Sequence, residues 1–329
     1  MDFSLIVPCH NEAESLPAFY QAVRNTFDTA GLEYEIIFID DGSQDGTLDT
    51  LKRLTAEDGT IKPAATIVSF SRNFGKEAGI YAGLQHATGT MLGIIDADMQ
   101  QDPAISLDML RFLQENPGFD CVAAVQEQRK ENAVLRGFKS AFYKMFNRMG
   151  TIDIPENASD FRVFRNYVAE ALLSMPENHR FSKGLFAWVG FRTHTITYRP
   201  NERLAGTTNW SFGGLMKYAL GGIMSFSTKP LRMAMWMGGL VSVAAAIYLV
   251  VVVFETIFAR NAQPGYPTLV CLILLFGGIQ IFLMGIIGEY LGRTYIEGKH
   301  RPIYVAREVV QIGGLPESAA PAPAPESQN

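Results

Sequence analysis

Met91-Leu92-Gly93-Ile94-Ile95-Asp96-Ala97-Asp98 decides the fold: an apolar run that stops abruptly on two carboxylates. Such a run reads as a buried parallel strand that delivers its last side chains into a crevice at the carboxyl edge of a sheet. Ile36-Ile37-Phe38-Ile39, followed by Asp40-Asp41-Gly42-Ser43, has the same form. Two carboxylates one residue apart can hold a hard divalent cation, and such a cation usually bridges to substrate phosphates. A single D-x-D is also what a solvated turn looks like. Repeated acidic strand ends favour a metal and nucleotide site instead.

Working outward, residues 1 to about 125 alternate short apolar strands with helical stretches. Strands fit Phe3–Val7, Glu35–Ile39, Thr66–Phe70, Met91–Ile95 and Cys121–Val125; helices fit Glu12–Phe27, Thr47–Ala56, Lys76–Ala87 and Pro103–Gln114. That rhythm predicts an open parallel sheet covered on both faces, with right-handed crossovers. Pro8 to Glu12, Asp40 to Ser43, Ser71 to Asn73 and Asp96 to Asp98 then converge on the edge where such folds bind ligands. No G-x-G-x-x-G follows the first strand and no Walker P-loop is present, so a dinucleotide-binding Rossmann domain is disfavoured.

The 329 residues are 48% hydrophobic, but unevenly so. Met233 to Phe254 and Asn261 to Gly288 contain no charged residue. Each holds roughly the 20 apolar residues that cross a bilayer as a helix, and neither shows a polar face. Two transmembrane helices in a hairpin are expected, the alternative being a hairpin buried in a globular domain. Lys229, Arg232, Arg293, Lys299 and Arg301 flank the outer ends, whereas the linker carries only Arg260. The positive-inside rule therefore puts both termini in the cytoplasm. Met1-Asp2-Phe3-Ser4-Leu5-Ile6-Val7 starts as a strand and not as a signal peptide.

Cys9, Cys121 and Cys271 are odd in number and far apart, which implies neither a disulfide framework nor a thiolate metal site. A net charge of −5 gives no support for nucleic-acid binding. The stretch from about Glu127 to Asn147 is basic and amphipathic; it reads either as a solvated face or as cations aimed at phosphates or anionic lipid. Asn209 to Phe226, with Trp210, Phe212, Leu215, Met216, Tyr218 and Leu220, suits a helix lying in the membrane interface. The Ala/Pro tail from Gly314 reads as disordered.

Val7-Pro8-Cys9-His10-Asn11-Glu12, Asp40-Asp41-Gly42-Ser43, Arg72-Asn73-Phe74-Gly75-Lys76 and Asp96-Ala97-Asp98-Met99-Gln100 together resemble the GT-A-fold glycosyltransferases of family 2. Ser159-Asp160-Phe161-Arg162, Gly184 to Gly190, Ser225 to Arg232 and Gly288 to Arg293 extend the likeness to the polyprenyl-phosphate branch, which includes bactoprenol glucosyltransferases and dolichol-phosphate mannose synthases. It covers roughly Ser4 to Val305. The resemblance implies an α/β fold, with a GT-A-type (Rossmann-like), mostly parallel sheet domain over 1–208. It further implies a juxtamembrane amphipathic segment over 209–231, a transmembrane hairpin over 232–292, a cytoplasmic segment over 293–313 and a tail over 314–329.

The implied roles follow residue by residue. Pro8, Asn11, Glu12 and Asp41 line the pocket for the nucleotide base and ribose, and Asp96 contacts the nucleotide directly or through the metal. Asp98 ligates Mg²⁺ or Mn²⁺, with Gln100 at the supporting position. Arg129, Arg136 and Arg203 match basic positions near the donor diphosphate or the acceptor phosphate. Asp160 matches an acid near the acceptor site, and reads equally as a structural partner of Arg162. Two positions depart from the pattern: Asn209 replaces a cation, and Gln101 stands where relatives often carry Asp or His.

The activity implied is inverting transfer of one hexose from a UDP-sugar to undecaprenyl phosphate at the cytoplasmic face of a bacterial inner membrane. Glucose fits best; N-acetylglucosamine, galactose, mannose and an aminoarabinose derivative stay open. A homo-oligomer through the hairpin and a flippase partner for the product are further implied possibilities. A membrane-anchored nucleotide-sugar-binding scaffold without activity is the rival from another class. A transporter subunit would need ionisable residues within the spans, which these runs lack.

Overall fold

In a computed structural model of the chain, residues 1–56, 64–127, 158–201, 229–258 and 265–313 are described. The chain divides into two compact units, one comprising 1–144, 152–212 and 302–329, the other 145–151 and 213–301.

The first unit carries strands β1 (Phe3–Cys9), β2 (Tyr34–Asp40), β3 (Ala64–Phe70), β4 (Met91–Ile94), β5 (Cys121–Gln126), β6 (Ala158–Arg165), β7 (Thr193–Tyr198) and β8 (Ala306–Ile312). They form one sheet in the order β7-β5-β6-β4-β1-β2-β3-β8. The pairs β4–β1, β1–β2, β2–β3 and β5–β7 are parallel. β6 runs antiparallel between β4 and β5, and β8 runs antiparallel along β3. The sheet is therefore mostly parallel, with reversed strands in two places.

Helices α1 (Leu16–Thr29), α2 (Thr47–Ala56), α3 (Lys76–His86) and α4 (Pro103–Glu115) are the crossovers. Short helices α5 (Asn166–Leu173) and α6 (Ser182–Trp188) follow β6. Every residue of β2 and β3 is buried, as expected of strands covered on both faces. Phe3, Leu5 and Val7 face one way and pack with Leu16, Phe19, Val23 and Phe27 of α1 and Met109, Leu110 and Leu113 of α4. On the other face Gly79 and Gly83 of α3 lie against Pro8 and Ile6. The period-2 alternation of β1 thus divides its side chains between two helical layers.

The first helix begins at Leu16, four residues later than the sequence predicts. Glu12 to Ser15 form a turn instead: the Ser15 hydroxyl donates to Glu12 Oε2 at 2.7 Å, and Pro17 falls in the first helical turn. Pro is tolerated there because its missing N–H would have no helical partner.

Register brings the functional ends together. Cys9 pairs with Asp40 and Asp40 with Ser69, so the loops after β1, β2 and β3 leave the sheet side by side. Gly42 makes this closeness possible. Its φ is +63°, and a Cβ there would lie 2.3 Å from the carbonyl carbon of Arg72 and 2.6 Å from the Asn73 nitrogen. Gly42→Ala should cost about 3 kcal/mol, from the left-handed backbone and the overpacking together. Chemical denaturation of the two proteins reads this directly, and an unchanged midpoint would contradict the packing described.

The second unit contains two long helices, α7 (Lys229–Phe258) and α8 (Tyr266–Glu297). At 30 and 32 residues they measure about 45 and 48 Å at 1.5 Å per residue. Large apolar side chains stand exposed along both, including Trp236 (75%), Leu240 (74%) and Ile281 (74%). Among the described residues, Leu275–Glu297 is long and apolar enough to cross a membrane by length and composition, and Leu231–Ala245 is a shorter apolar run. The interfacial segment expected at 209–226 and the tail beyond Gly313 lie outside the described residues.

Candidate functional site

The carboxyl edge gathers four loops. After β1, Asn11 adopts a left-handed backbone, φ +58°, which Asn accepts more readily than most residues. Its Oδ1 accepts from the Gln44 N–H at 2.9 Å, and its own N–H donates to Ser43 Oγ at 3.0 Å. The Glu12 N–H donates to Thr47 Oγ1 at 2.9 Å. These bonds latch the β1 loop to the start of α2.

After β2, Asp40 is buried and accepts from Ser69 Oγ at 2.8 Å and from the Ser43 N–H at 3.1 Å. Asp41 reaches the third loop: its carboxylate accepts from the Phe74 and Gly75 N–H groups at 2.6 and 2.9 Å. Burial pushes the Asp41 carboxyl above its ordinary range, against the pull of those two backbone donors. Gly75, with φ +97°, turns the chain into α3, so Asp41 sets where Lys76 begins.

After β4, Asp96 and Asp98 occupy a turn completed by Met99 at φ +61°. Asp96 is held from several directions. Gln101 accepts from its N–H at 3.0 Å through Oε1 and donates to its Oδ2 at 3.1 Å through Nε2. Lys76 Nζ lies 2.5 Å from Asp96 Oδ1. Asp98 is buried, and its Oδ1 accepts from the Gln100 N–H at 3.1 Å. The Gln100 carbonyl in turn accepts from the Asn201 N–H at 3.0 Å, which ties the exit of β7 to the same turn.

Asp160, on β6, completes the cluster. Its Oδ2 lies 3.3 Å from Lys76 Nζ, while its Oδ1 is buried without a hydrogen bond among the described residues. Burial alone would raise this carboxyl; the charges of Lys76, Lys183 and Arg162 outweigh it and hold Asp160 below the usual range. The Lys76 ammonium responds in the opposite sense. Burial works against its charge, but Asp96 and Asp160 raise its pKa well above the ordinary lysine value.

Comparison with known proteins completes the picture. Residues 4–173 match the model for "Glycosyl transferase family 2", and residues 229–294 match the "GtrB C-terminal hairpin". The chain belongs to glycosyl transferase family 2.

Its relatives in that family match along nearly their whole length. The prophage bactoprenol glucosyl transferase homolog of Escherichia coli is 42% identical, over 94% of this chain and 99% of the relative. The bactoprenol glucosyl transferase of Shigella phage SfV is 39% identical, over 94% of this chain and 100% of the relative. The putative glycosyltransferase CsbB of Bacillus subtilis is 36% identical, over 96% and 94%. The chain is accordingly a glycosyltransferase, and the mixed, mostly parallel sheet is its family 2 catalytic fold.

Within this family 2 site the structure unites most of the residues singled out from the sequence. Pro8 lies near the end of β1, Asn11, Glu12 and Asp41 stand on the adjoining β1 and β2 loops, and Asp96, Asp98 and Gln100 share the β4 turn. Arg129, Arg136 and Arg203 lie outside the described residues, as does Asn209. Asp160 meets Lys76 at 3.3 Å, and the charge of Arg162 also acts on it. Arg162 packs 3.9 Å over the Phe186 ring and donates to the Ser159 carbonyl at 2.9 Å.

Lys76 and Gln101 were not assigned roles from the sequence. For Lys76 a signal exists: a lysine in the first turn of a helix faces the positive end of the helix dipole, so acids must compensate it.

Among the described residues, no group of three or more His, Cys, Asp or Glu side chains could hold a metal ion by itself. Asp96 and Asp98 nevertheless offer hard oxygen ligands on one turn. That donor set fits a hard divalent cation that takes one or two carboxylates and completes its shell with phosphates and water.

Proposed function

We propose that this glycosyltransferase moves one glucosyl unit from UDP-glucose to undecaprenyl phosphate, with inversion, at the cytoplasmic face of a bacterial inner membrane. Identity of 39–42% to bactoprenol glucosyl transferases, running through both the catalytic domain and the hairpin, carries this reading. An oxygen of the acceptor phosphate attacks the anomeric carbon, the bond from that carbon to the diphosphate oxygen breaks, and UDP departs. The acceptor is already an anion near neutral pH, so no strong base has to take a proton from it.

The chain's own residues then have separable tasks. Pro8, Asn11, Glu12 and Asp41 shape the recess for base and ribose. Asp98, with Asp96, holds Mg²⁺ or Mn²⁺, with Gln100 supporting the turn; the cation supplies neutralisation of charge on the leaving diphosphate. Arg129, Arg136 and Arg203 supply positive charge to the donor diphosphate and the lipid phosphate. Asp160 positions the sugar or the acceptor.

The hairpin suits the substrate, because a water-insoluble polyprenyl chain has to be met at a membrane. Exposed apolar side chains along α7 and α8 support two spans whose outer ends, flanked by Lys229, Arg232, Arg293, Lys299 and Arg301, face the cytoplasm.

A panel of radiolabelled UDP- and GDP-sugars, offered with undecaprenyl phosphate to the full-length protein in detergent, tests the donor. UDP-glucose should give lipid-linked label. EDTA should abolish it, with recovery when excess Mg²⁺ or Mn²⁺ is restored. Label from another donor alone would replace glucose in this reading; label that persists in EDTA would remove the metal from it.

A further inference from the structure

Lys76 is the least expected group at the site. It opens α3, where the helix dipole disfavours a cation, yet its ammonium lies 2.5 Å from Asp96 and 3.3 Å from Asp160. The two acids come from different strand ends, β4 and β6, so one cation ties together elements distant in sequence. Without it, Asp96 would lose the cation at its Oδ1, and Asp160 would keep the charges of Lys183 and Arg162 alone of the three that act on it.

The second oxygen of Asp96 and its N–H are both held by Gln101. The orientation of Asp96 therefore does not depend on Lys76. A metal arriving at this carboxylate can take the place of the ammonium without first having to orient the ligand. Asp160 would retain the ammonium, as its Oδ2 already engages it.

We propose that Lys76 is a built-in counter-cation, a positioning residue that neutralises Asp96 and Asp160 in the donor-free enzyme and competes with the divalent cation for Asp96. The idea rests on the reading of Asp96 as a metal contact and adds a regulation to it. With Lys76 on Asp96, metal alone binds weakly. The nucleotide diphosphate adds ligands and negative charge, and tips the exchange toward the metal. The site thereby favours the metal–nucleotide complex over free metal.

The test is Mn²⁺ binding without nucleotide, followed by electron paramagnetic resonance on the full-length protein in detergent. Lys76→Met removes the competitor and should tighten Mn²⁺ binding about tenfold or more, in keeping with an added net negative charge near the ion. Lys76→Arg keeps the charge and should stay near wild type. An affinity for Mn²⁺ in Lys76→Met that is unchanged or weaker overturns the proposal.

Should Lys76→Met fail to fold, as a thermal melt would show, reductive methylation of the wild type decides. Saturating Mn²⁺ should raise the labelling rate of Lys76, and an unaltered rate overturns the proposal. Failure of the underlying reading looks different: wild-type protein would then bind no Mn²⁺ even with UDP-glucose present.

Discussion

Asp98→Asn should lower the rate of lipid-linked sugar formation by about 10²–10³-fold, a loss typical of removing preorganised stabilisation of transition-state charge, here the cation that Asp98 would hold. The substitution isolates charge from shape. Asn keeps a side-chain oxygen to accept from the Gln100 N–H, the 3.1 Å bond that closes the turn. The fold should survive, with a stability change of about 1 kcal/mol, the usual worth of one such hydrogen bond. Activity within tenfold of wild type would place the metal elsewhere. A melting temperature that collapses along with activity would make Asp98 a structural acid.

Removal of β8 should have the largest effect on stability. The chain returns from the long helices to the catalytic sheet. There β8 pairs with β3 from Ala65↔Ile312 to Phe70↔Ala306, and Lys52 meets Glu308 at 2.8 Å. Just before it, Tyr304 stacks on Phe70 at 4.7 Å and donates to Gln85 Oε1 at 2.8 Å. Burial pushes the Tyr304 hydroxyl up to about 12.

Phe70 in turn meets Phe74 edge-on at 5.7 Å, and Phe74 is one of the residues whose N–H binds Asp41. The last strand therefore buttresses the loop that holds Asp41. A stop after Arg301 should cost about 4 kcal/mol, from one buried aromatic and the edge of a ladder, or roughly 10 °C in melting temperature. Activity should fall with it. A stop after Gly313, which keeps the strand, is the control and should behave as wild type. Equal melting temperatures for the two truncations would contradict the supporting role of β8.

The parts of the fold legible in the sequence were those with local signals. β1 to β5 and α1 to α4 follow the alternation of apolar runs and helical stretches, with boundaries shifted by at most a few residues. β6 escaped because its buried apolar residues, Phe161, Val163 and Phe164, are interleaved with Asp160, Arg162 and Arg165. Arg162 is nonetheless buried, held by the Phe186 ring, the Ser159 carbonyl and the charge of Asp160. β8 escaped for a different reason: a polar, half-exposed edge strand lying after two long apolar helices gives no cue that it pairs with β3.

The acidic turn was legible at once, since Asp96 and Asp98 end an apolar strand. Its partners were not. Lys76 reaches Asp96 from the start of α3, and Asp160 reaches Lys76 through the insertion of β6 beside β4, long-range contacts that no window of sequence displays. Gln101 looked like a departure from a pattern, whereas its amide serves Asp96 on both sides.

The most direct measurement pairs the two products of a single reaction. Purified full-length protein would receive UDP-[¹⁴C]glucose, undecaprenyl phosphate and Mg²⁺ or Mn²⁺, with lipid-linked glucose and released UDP counted together. One UDP for each glucose on the lipid, with both lost in Asp98→Asn, is the result expected of a polyprenyl-phosphate glucosyltransferase built on this site. Tight UDP-glucose binding with no lipid-linked glucose would contradict it and leave a nucleotide-sugar-binding scaffold in its place.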